Sequence, residues 1–171
     1  MKENNNSKNN YFIIDASGFI NGFKPYGKNN FSVSEITEEI KDLKSKLSLE
    51  EAISSGNLKI SDVSDESLNE LKKIIEKSGD TLRLSNPDIK LLALALELKD
   101  KNPIVVTDDY TIQNTLKILD IQFKPIINKG IDTIYNWKKV CMGCKKEYLN
   151  SYKFDDCEIC GSKVYKKRIK L

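Results

Sequence analysis

The 171-residue sequence contains no histidine. That absence removes Ser-His-Asp and Cys-His catalysis, HExxH metal sites, mixed Cys/His zinc fingers and any imidazole general base. An enzyme built from this chain has to work with carboxylates, lysines, hydroxyls, thiols or a metal held by oxygen or sulfur. Long apolar runs are also missing, since none approaches the roughly 18 residues of a membrane span. The first ten residues, Met1 to Asn10, are polar and Asn-rich with no apolar core of the signal-peptide kind. They predict a disordered tail on an intracellular, cytoplasmic protein with no membrane partner. The length suits one domain of ordinary size plus a small one that needs help to fold.

What is present is unevenly spread. The formal charge is only +3, but residues 138–171 hold ten Lys/Arg against four Asp/Glu. That end is therefore +6 and the remainder −3. A basic end on an acidic body favours a polyanionic partner. All four cysteines lie in the basic end, as Cys141-Met142-Gly143-Cys144 and Cys157-Glu158-Ile159-Cys160-Gly161. Two CxxC pairs twelve residues apart predict a structural zinc site of four thiolates, with no open position for catalysis. Gly161 suits the positive-φ turn of a knuckle. A hairpin over 146–153 and a strand over 163–169 are expected around it, with zinc supplying most of the segment's stability. Trp137, Tyr148, Tyr152, Phe154 and Tyr165 are interleaved with the lysines. They fit either bases stacked on a nucleic-acid surface or the small core of the ribbon and its seam with the body.

The body alternates strands with helices. Tyr11-Phe12-Ile13-Ile14 and Ile104-Val105-Val106 are short, wholly apolar runs, the pattern of strands buried on both faces. Ile36, Ile40, Leu43 and Leu47 recur at helical spacing from Ser34, and Gly56 closes a second short helix. Leu58-Lys59-Ile60 is a further expected strand, and 66–77 a helix ended by Gly79. Asn86-Pro87-Asp88 combines a cap, a first-turn proline and an acid at the positive end of a helix dipole. The run that follows, Ile89 to Leu98, is apolar nearly all round and predicts a buried central helix. A helix from Tyr110 to Leu119 and a strand near Phe123 complete the set. The fold class is thus α/β, a parallel sheet flanked by helices.

Both apolar strands run into acids, Asp15 and Asp108-Asp109, at the sheet edge where open α/β folds bind ligands. Glu38 and Glu39 follow on the first helix and Asp88 opens the buried one. Convergent carboxylates without compensating bases take up protons or bind a divalent cation. A hard, oxygen-rich donor set suits Mg²⁺ or Mn²⁺, which can polarise a phosphodiester. Each acid also has a plain structural explanation, as a helix cap, a helix-start charge or a solvated face.

In order, Ile13-Ile14-Asp15-Ala16-Ser17, Thr37-Glu38-Glu39-Ile40-Lys41-Asp42, Leu84-Ser85-Asn86-Pro87-Asp88-Ile89 and Val106-Thr107-Asp108-Asp109-Tyr110 resemble the PIN nuclease domain. With the zinc ribbon behind it, residues 11–167 resemble the PIN–zinc-ribbon endonucleases that mature the 3′ end of small-subunit rRNA. The chain thus divides into a PIN-like domain over 11–136, a zinc ribbon with basic tail over 137–171, and the Asn-rich tail over 1–10, which departs from the family pattern and whose role the resemblance leaves open. The resemblance implies catalytic and metal-binding roles for Asp15, Glu39, Asp88, Asp108 and Asp109, with either of the last two as the closer ligand and Glu38 as an exposed neighbour. It implies zinc on Cys141, Cys144, Cys157 and Cys160. It further implies Mn²⁺- or Mg²⁺-dependent cleavage of single-stranded RNA by water, leaving 3′-hydroxyl and 5′-phosphate ends. The partners would be small-subunit pre-rRNA and the pre-ribosomal particle, with no DNA. A non-catalytic rRNA-binding assembly factor and a toxin-like PIN ribonuclease are the competing readings; the second leaves the ribbon unexplained.

Overall fold

The computed structural model describes residues 10–78 and 83–170. The remaining residues of the Asn-rich start, and Gly79 at the expected end of a helix, lie outside that range. The chain runs β1 (Phe12–Ile14), α1 (Ala16–Ile20), β2 (Asn30–Ser32), α2 (Ser34–Glu39), α3 (Leu43–Ser54), β3 (Lys59–Ile60), α4 (Asp65–Ser78) and α5 (Asn86–Glu97). It continues through β4 (Ile104–Val106), α6 (Tyr110–Ile118), β5 (Gln122–Lys124), β6 (Tyr135–Cys141), β7 (Glu147–Tyr148) and β8 (Val164–Lys170).

The first five strands form one parallel sheet in the order β3-β2-β1-β4-β5. Ile13, Ile14, Val105 and Val106 are fully buried at its centre, as continuous apolar runs require of strands covered on both faces. Strand order reverses across β1 and β4, so their carboxyl ends open the crevice where such sheets bind ligands. Gly18 lets α1 lie directly on these strands. A Cβ there would meet Ile14 Cγ2 at 3.0 Å and the Val106 carbonyl at 3.2 Å.

Helix α5 is the buried helix of the body, with Leu91 to Ala95 all buried. Its cap is Ser85, one residue ahead of the Asn86 that opens the Asn-Pro-Asp signal. Asp88 returns the favour at the third position, so the two side chains form a reciprocal capping box. The periodicity from Ser34 misplaces one boundary. Helix α2 ends at Glu39, Ile40 is extended, and α3 begins afresh with Asp42 accepting from the Ser45 amide at 2.8 Å. Across that break the apolar phase is lost: Ile36 and Ile40 are buried, whereas Leu43 and Leu47 are exposed.

Strand β2 carries no apolar signature, because two of its three side chains are polar and buried. Asn30 Nδ2 donates to the carbonyls of Tyr26, Gly27 and Asn57, and Ser32 Oγ to that of Ile14 at 2.8 Å. Buried polar groups this well paired replace the expected valine or isoleucine.

The second sheet is antiparallel, in the order β7-β6-β8. The hairpin expected over 146–153 does not form. Residues 147–148 pair instead with Lys139 and Val140 of β6, a strand absent from the sequence-level expectation. The strand expected over 163–169 is present as β8. Asn114 of α6 helps to fasten the ribbon to the body. Its side-chain amide pairs with both backbone groups of Tyr135 at 2.7 Å, as a neighbouring strand would. Among the described residues no helix is long and apolar enough to cross a membrane.

Candidate metal centres and acidic site

Asp15 directly follows β1, at the start of α1, and is buried. Ser17 Oγ and Thr107 Oγ1 donate to the same oxygen, Oδ2, at 2.5 and 2.9 Å. Burial pushes the Asp15 pKa above the ordinary carboxylate range despite those hydrogen bonds, and the charge of Asp88 adds to the rise. Glu39, at the end of α2, is also raised, first by loss of hydration and then by the charges of Asp88 and Asp15; only Lys41 opposes. Asp88 is raised by burial and by Asp109, against the hydrogen bonds it receives from Ser85. Asp15 and Asp109 stand just beyond the central strands β1 and β4, and the charge effects of Asp15 and Asp88 on Glu39 and of Asp109 on Asp88 put Glu39 and Asp88 near the same sheet edge. Lys90 adds no counter-charge there, because Glu35 holds it in an ion pair.

Asp108 and Asp109 are adjacent but have different surroundings. Asp109 is exposed and caps α6, accepting from the Thr111 and Ile112 amides at 2.6 and 3.1 Å. Asp108 is buried and accepts at Oδ1 from the amides of Ile126, Ile127 and Asn128, all within 3.1 Å. Asn21 Nδ2 donates to its other oxygen at 2.5 Å. Burial alone would raise the Asp108 pKa, but those hydrogen bonds outweigh it and hold the carboxyl below its ordinary range. Asp108 is thus clasped to the loop after β5, while Asp109 acts on Asp88. Ser17, Thr107 and Asn21 were not singled out from the sequence. The visible signal for the two hydroxyls was their place beside the acids, in Asp15-Ala16-Ser17 and Thr107-Asp108-Asp109.

The four acids leave hard carboxylate oxygens with an excess of negative charge, a donor set that fits a divalent cation. They are looser than the cysteines, which are the one group among the described residues arranged tightly enough to mark a metal site geometrically. The four Sγ atoms lie within 4.8 Å of one another, with Cys141–Cys160 at 3.4 Å and Cys144–Cys157 at 3.6 Å. Sulfurs bound tetrahedrally at about 2.3 Å from an ion would stand about 3.8 Å apart, so the cluster fits a metal ion, with no disulfide among its thiols. Gly143 permits the close knuckle, since a Cβ there would stand 2.4 Å from Ser162 Oγ. The Tyr148 hydroxyl lies 2.9 Å from Cys157 Sγ and favours its thiolate, and Ser162 lowers Cys160 to about 5. Cys144 is pushed the other way, to about 11: the Lys146 amide favours its thiolate, but lost hydration and the neighbouring thiols outweigh it. Four thiols this close cannot all ionise without a cation among them.

Three of the ribbon aromatics take the core-and-seam role. Tyr148 and Tyr152 stack at 4.1 Å beside Cys157 and build the ribbon's core. Phe154 is exposed. Trp137 faces the seam, where the Arg83 guanidinium lies 4.4 Å from its ring centre.

Comparison with known proteins places this geometry. The family described as "PIN domain of ribonuclease" matches residues 12–98. Endoribonuclease Nob1 of Methanothermobacter thermautotrophicus is 46% identical over 157 residues, covering 91% of this chain and 92% of that one. Endoribonuclease Nob1 of Methanocaldococcus jannaschii is 39% identical over 160 residues, covering 92% and 78%. Ribonuclease VapC1 of Thermoplasma acidophilum is 40% identical over 100 residues but covers only 56% of this chain and 49% of its own. Similarity over most of both chains therefore runs to the first two and partial similarity to the third, and the chain belongs to the Nob1 family of PIN-domain endoribonucleases.

Proposed function

We propose that this protein is a metal-dependent endoribonuclease that cuts precursor small-subunit rRNA at its 3′ end on the maturing particle. The observation that carries the reading is the convergence of Asp15, Glu39, Asp88 and Asp109 at the strand crevice of a chain similar to Nob1 over nine-tenths of its length. Asp15, Glu39, Asp88 and Asp109 are the residues that would hold Mg²⁺ or Mn²⁺, and Cys141, Cys144, Cys157 and Cys160 would hold zinc. A divalent cation bound at the acids would polarise the scissile phosphate and lower the pKa of the attacking water. Ser17 and Thr107 fix the Asp15 carboxylate, and the capping box fixes Asp88 on the first turn of α5. Asp108 anchors the 126–128 loop and supports the crevice wall. The proposed division gives a nuclease body over 11–136 and a ribbon over 137–171 that grips RNA with its basic strands, although the ribbon strand β6 starts two residues earlier, at Tyr135. The protein would work in the cytoplasm.

The test is cleavage of a synthetic RNA spanning the small-subunit 3′ end, with Mn²⁺, with Mg²⁺ and with neither. Metal-dependent cuts at the mature end support the reading. Tight binding without a cut on either naked RNA or the pre-ribosomal particle would favour an assembly factor. Preferential cutting of transfer RNA would favour a toxin-like ribonuclease.

A further inference from the structure

A cavity of about 330 Å³ opens where α6 meets the ribbon, lined by Arg83, Tyr110, Thr111, Tyr135, Trp137 and Arg168 among others. Its volume is at the small end of ligand pockets, room for one flexible unit of a polymer and not for a duplex. The lining includes two guanidiniums and no carboxylate, on a chain whose body is otherwise acidic. Both guanidiniums are stacked: Arg83 lies 4.4 Å from the Trp137 ring centre and Arg168 4.4 Å from that of Tyr135. Stacking holds the plane of an Arg head and leaves its N–H edge for a phosphate or a base edge.

The β6–β8 register explains why these groups share one face. Trp137 stands opposite Arg168 and Tyr135 opposite Lys170, whereas Lys138 and Lys167 pair on the other face. The cavity also adjoins the acidic crevice, because Tyr110 and Thr111 directly follow Asp109, the cap of α6.

We propose that this cavity is a subsite for one unpaired RNA nucleotide next to the scissile phosphate, with Arg83 and Arg168 clasping its phosphate or base edge and the aromatic walls bounding the base. The proposal rests on the nuclease reading and names how that site takes its substrate from both domains. It makes the seam a specificity element: a strand must leave its helix to enter.

The test uses zinc-loaded full-length protein carrying Asp15→Asn, so that the RNA stays intact, and a short single-stranded RNA spanning the mature 3′ end. Arg168→Ala is expected to weaken binding at least about 10-fold and to reduce the salt slope by about 1. Lys167→Ala, which removes the same charge from the opposite face, should weaken it less than about 3-fold. Arg168→Lys should not restore affinity, since the ammonium keeps the charge but loses the planar fork. Equal losses from Arg168→Ala and Lys167→Ala would overturn the proposal, as would full rescue by lysine or equally tight Arg168-dependent binding of polyglutamate. A second readout spares the arginines: 4-thiouridine scanned along the RNA should crosslink to Tyr110 or Trp137 from one position beside the cut. Crosslinks confined to the outer face of β8 would overturn the proposal independently. If the protein carrying Asp15 proves unable to cut while these binding results hold, the nuclease assignment fails and the subsite stands.

Discussion

The body and the ribbon have opposite means of support. The body buries a contiguous apolar core, with Ile13, Ile14, Ile36, Leu71, Ile75, Leu91, Leu92, Val105, Val106, Ile112 and Leu116 essentially inaccessible. The ribbon's cluster of buried side chains consists of Cys141, Tyr148 and Cys157, with Tyr152 and Val164 packed against it. Burial at about 25 cal/mol per Å² can hold the first together but has little area to act on in the second. Each part also concentrates like charges. The body gathers carboxylates at a sheet edge, and the ribbon gathers thiols at its knuckles and cations on its strands. In both, a cation or a polyanion from outside would relieve the repulsion, so the proposed reading asks for metal twice, once for chemistry and once for shape.

The largest test of that contrast is removal of zinc. Structural zinc contributes on the order of 10–16 kcal/mol of binding energy, so full chelation should collapse amide dispersion for residues 137–170 and leave the body's signals in place. Ribbon resonances that stay dispersed would break the comparison. Next in size is Asp108→Ala, which leaves the Ile126, Ile127 and Asn128 amides without their acceptor. Its expected cost is about 2–3 kcal/mol, read as a lower denaturation midpoint of the body with the ribbon unaffected.

A smaller effect concerns the metal-free body and pH. Asp15, Glu39 and Asp88 have raised pKa values in the fold, so the native state holds protons that the unfolded chain has released. Stability of the metal-free body should therefore fall as pH rises from the unfolded carboxylate range through the raised values. Asp108 contributes with the opposite sign, its stabilisation being lost as pH falls through its depressed value. Asp15→Asn should flatten the first dependence and leave the second, measured by thermal melts from about pH 2 to about pH 7. Mn²⁺ binding should release protons in the same window and weaken as pH falls. Smallest is Ser85→Ala, which opens the capping box at about 1 kcal/mol and loosens Asp88 without touching the ribbon.

Much of this was legible because local signals agreed with the tertiary result. Ile13-Ile14 and Val105-Val106 read as buried strands since nothing polar interrupts them. Pro87 with Asp88 marked the start of α5 to within a residue, and the CxxC spacing carried the thiol cluster whole. Strand β2 was hidden because Asn30 and Ser32 are buried through hydrogen bonds to backbone carbonyls both near and far along the chain, which no periodicity records. The break at Ile40 was hidden because Ile36, Ile40, Leu43 and Leu47 keep helical spacing across a cap that only Asp42 and Ser45 reveal. Asp108 and Asp109 could not be told apart because the difference lies in the loop that reaches back from residue 126. The seam was equally silent, since Arg83 and Trp137 are 54 positions apart and neither is unusual alone.

The central claim is that the exposed and buried acids at the crevice, and not the clasped Asp108, perform the cut. Single-turnover cleavage of the 3′-end RNA in Mn²⁺ by Asp15→Asn, Asp109→Asn and Asp108→Asn tests it most directly, each protein shown to be folded and zinc-loaded. The account predicts that Asp15→Asn and Asp109→Asn lose at least about 100-fold in rate, beyond the range seen on disturbing a mere supporting contact to a metal, while Asp108→Asn loses less than about 10-fold. Full activity in Asp15→Asn, or a deeper loss in Asp108→Asn than in Asp109→Asn, would contradict it.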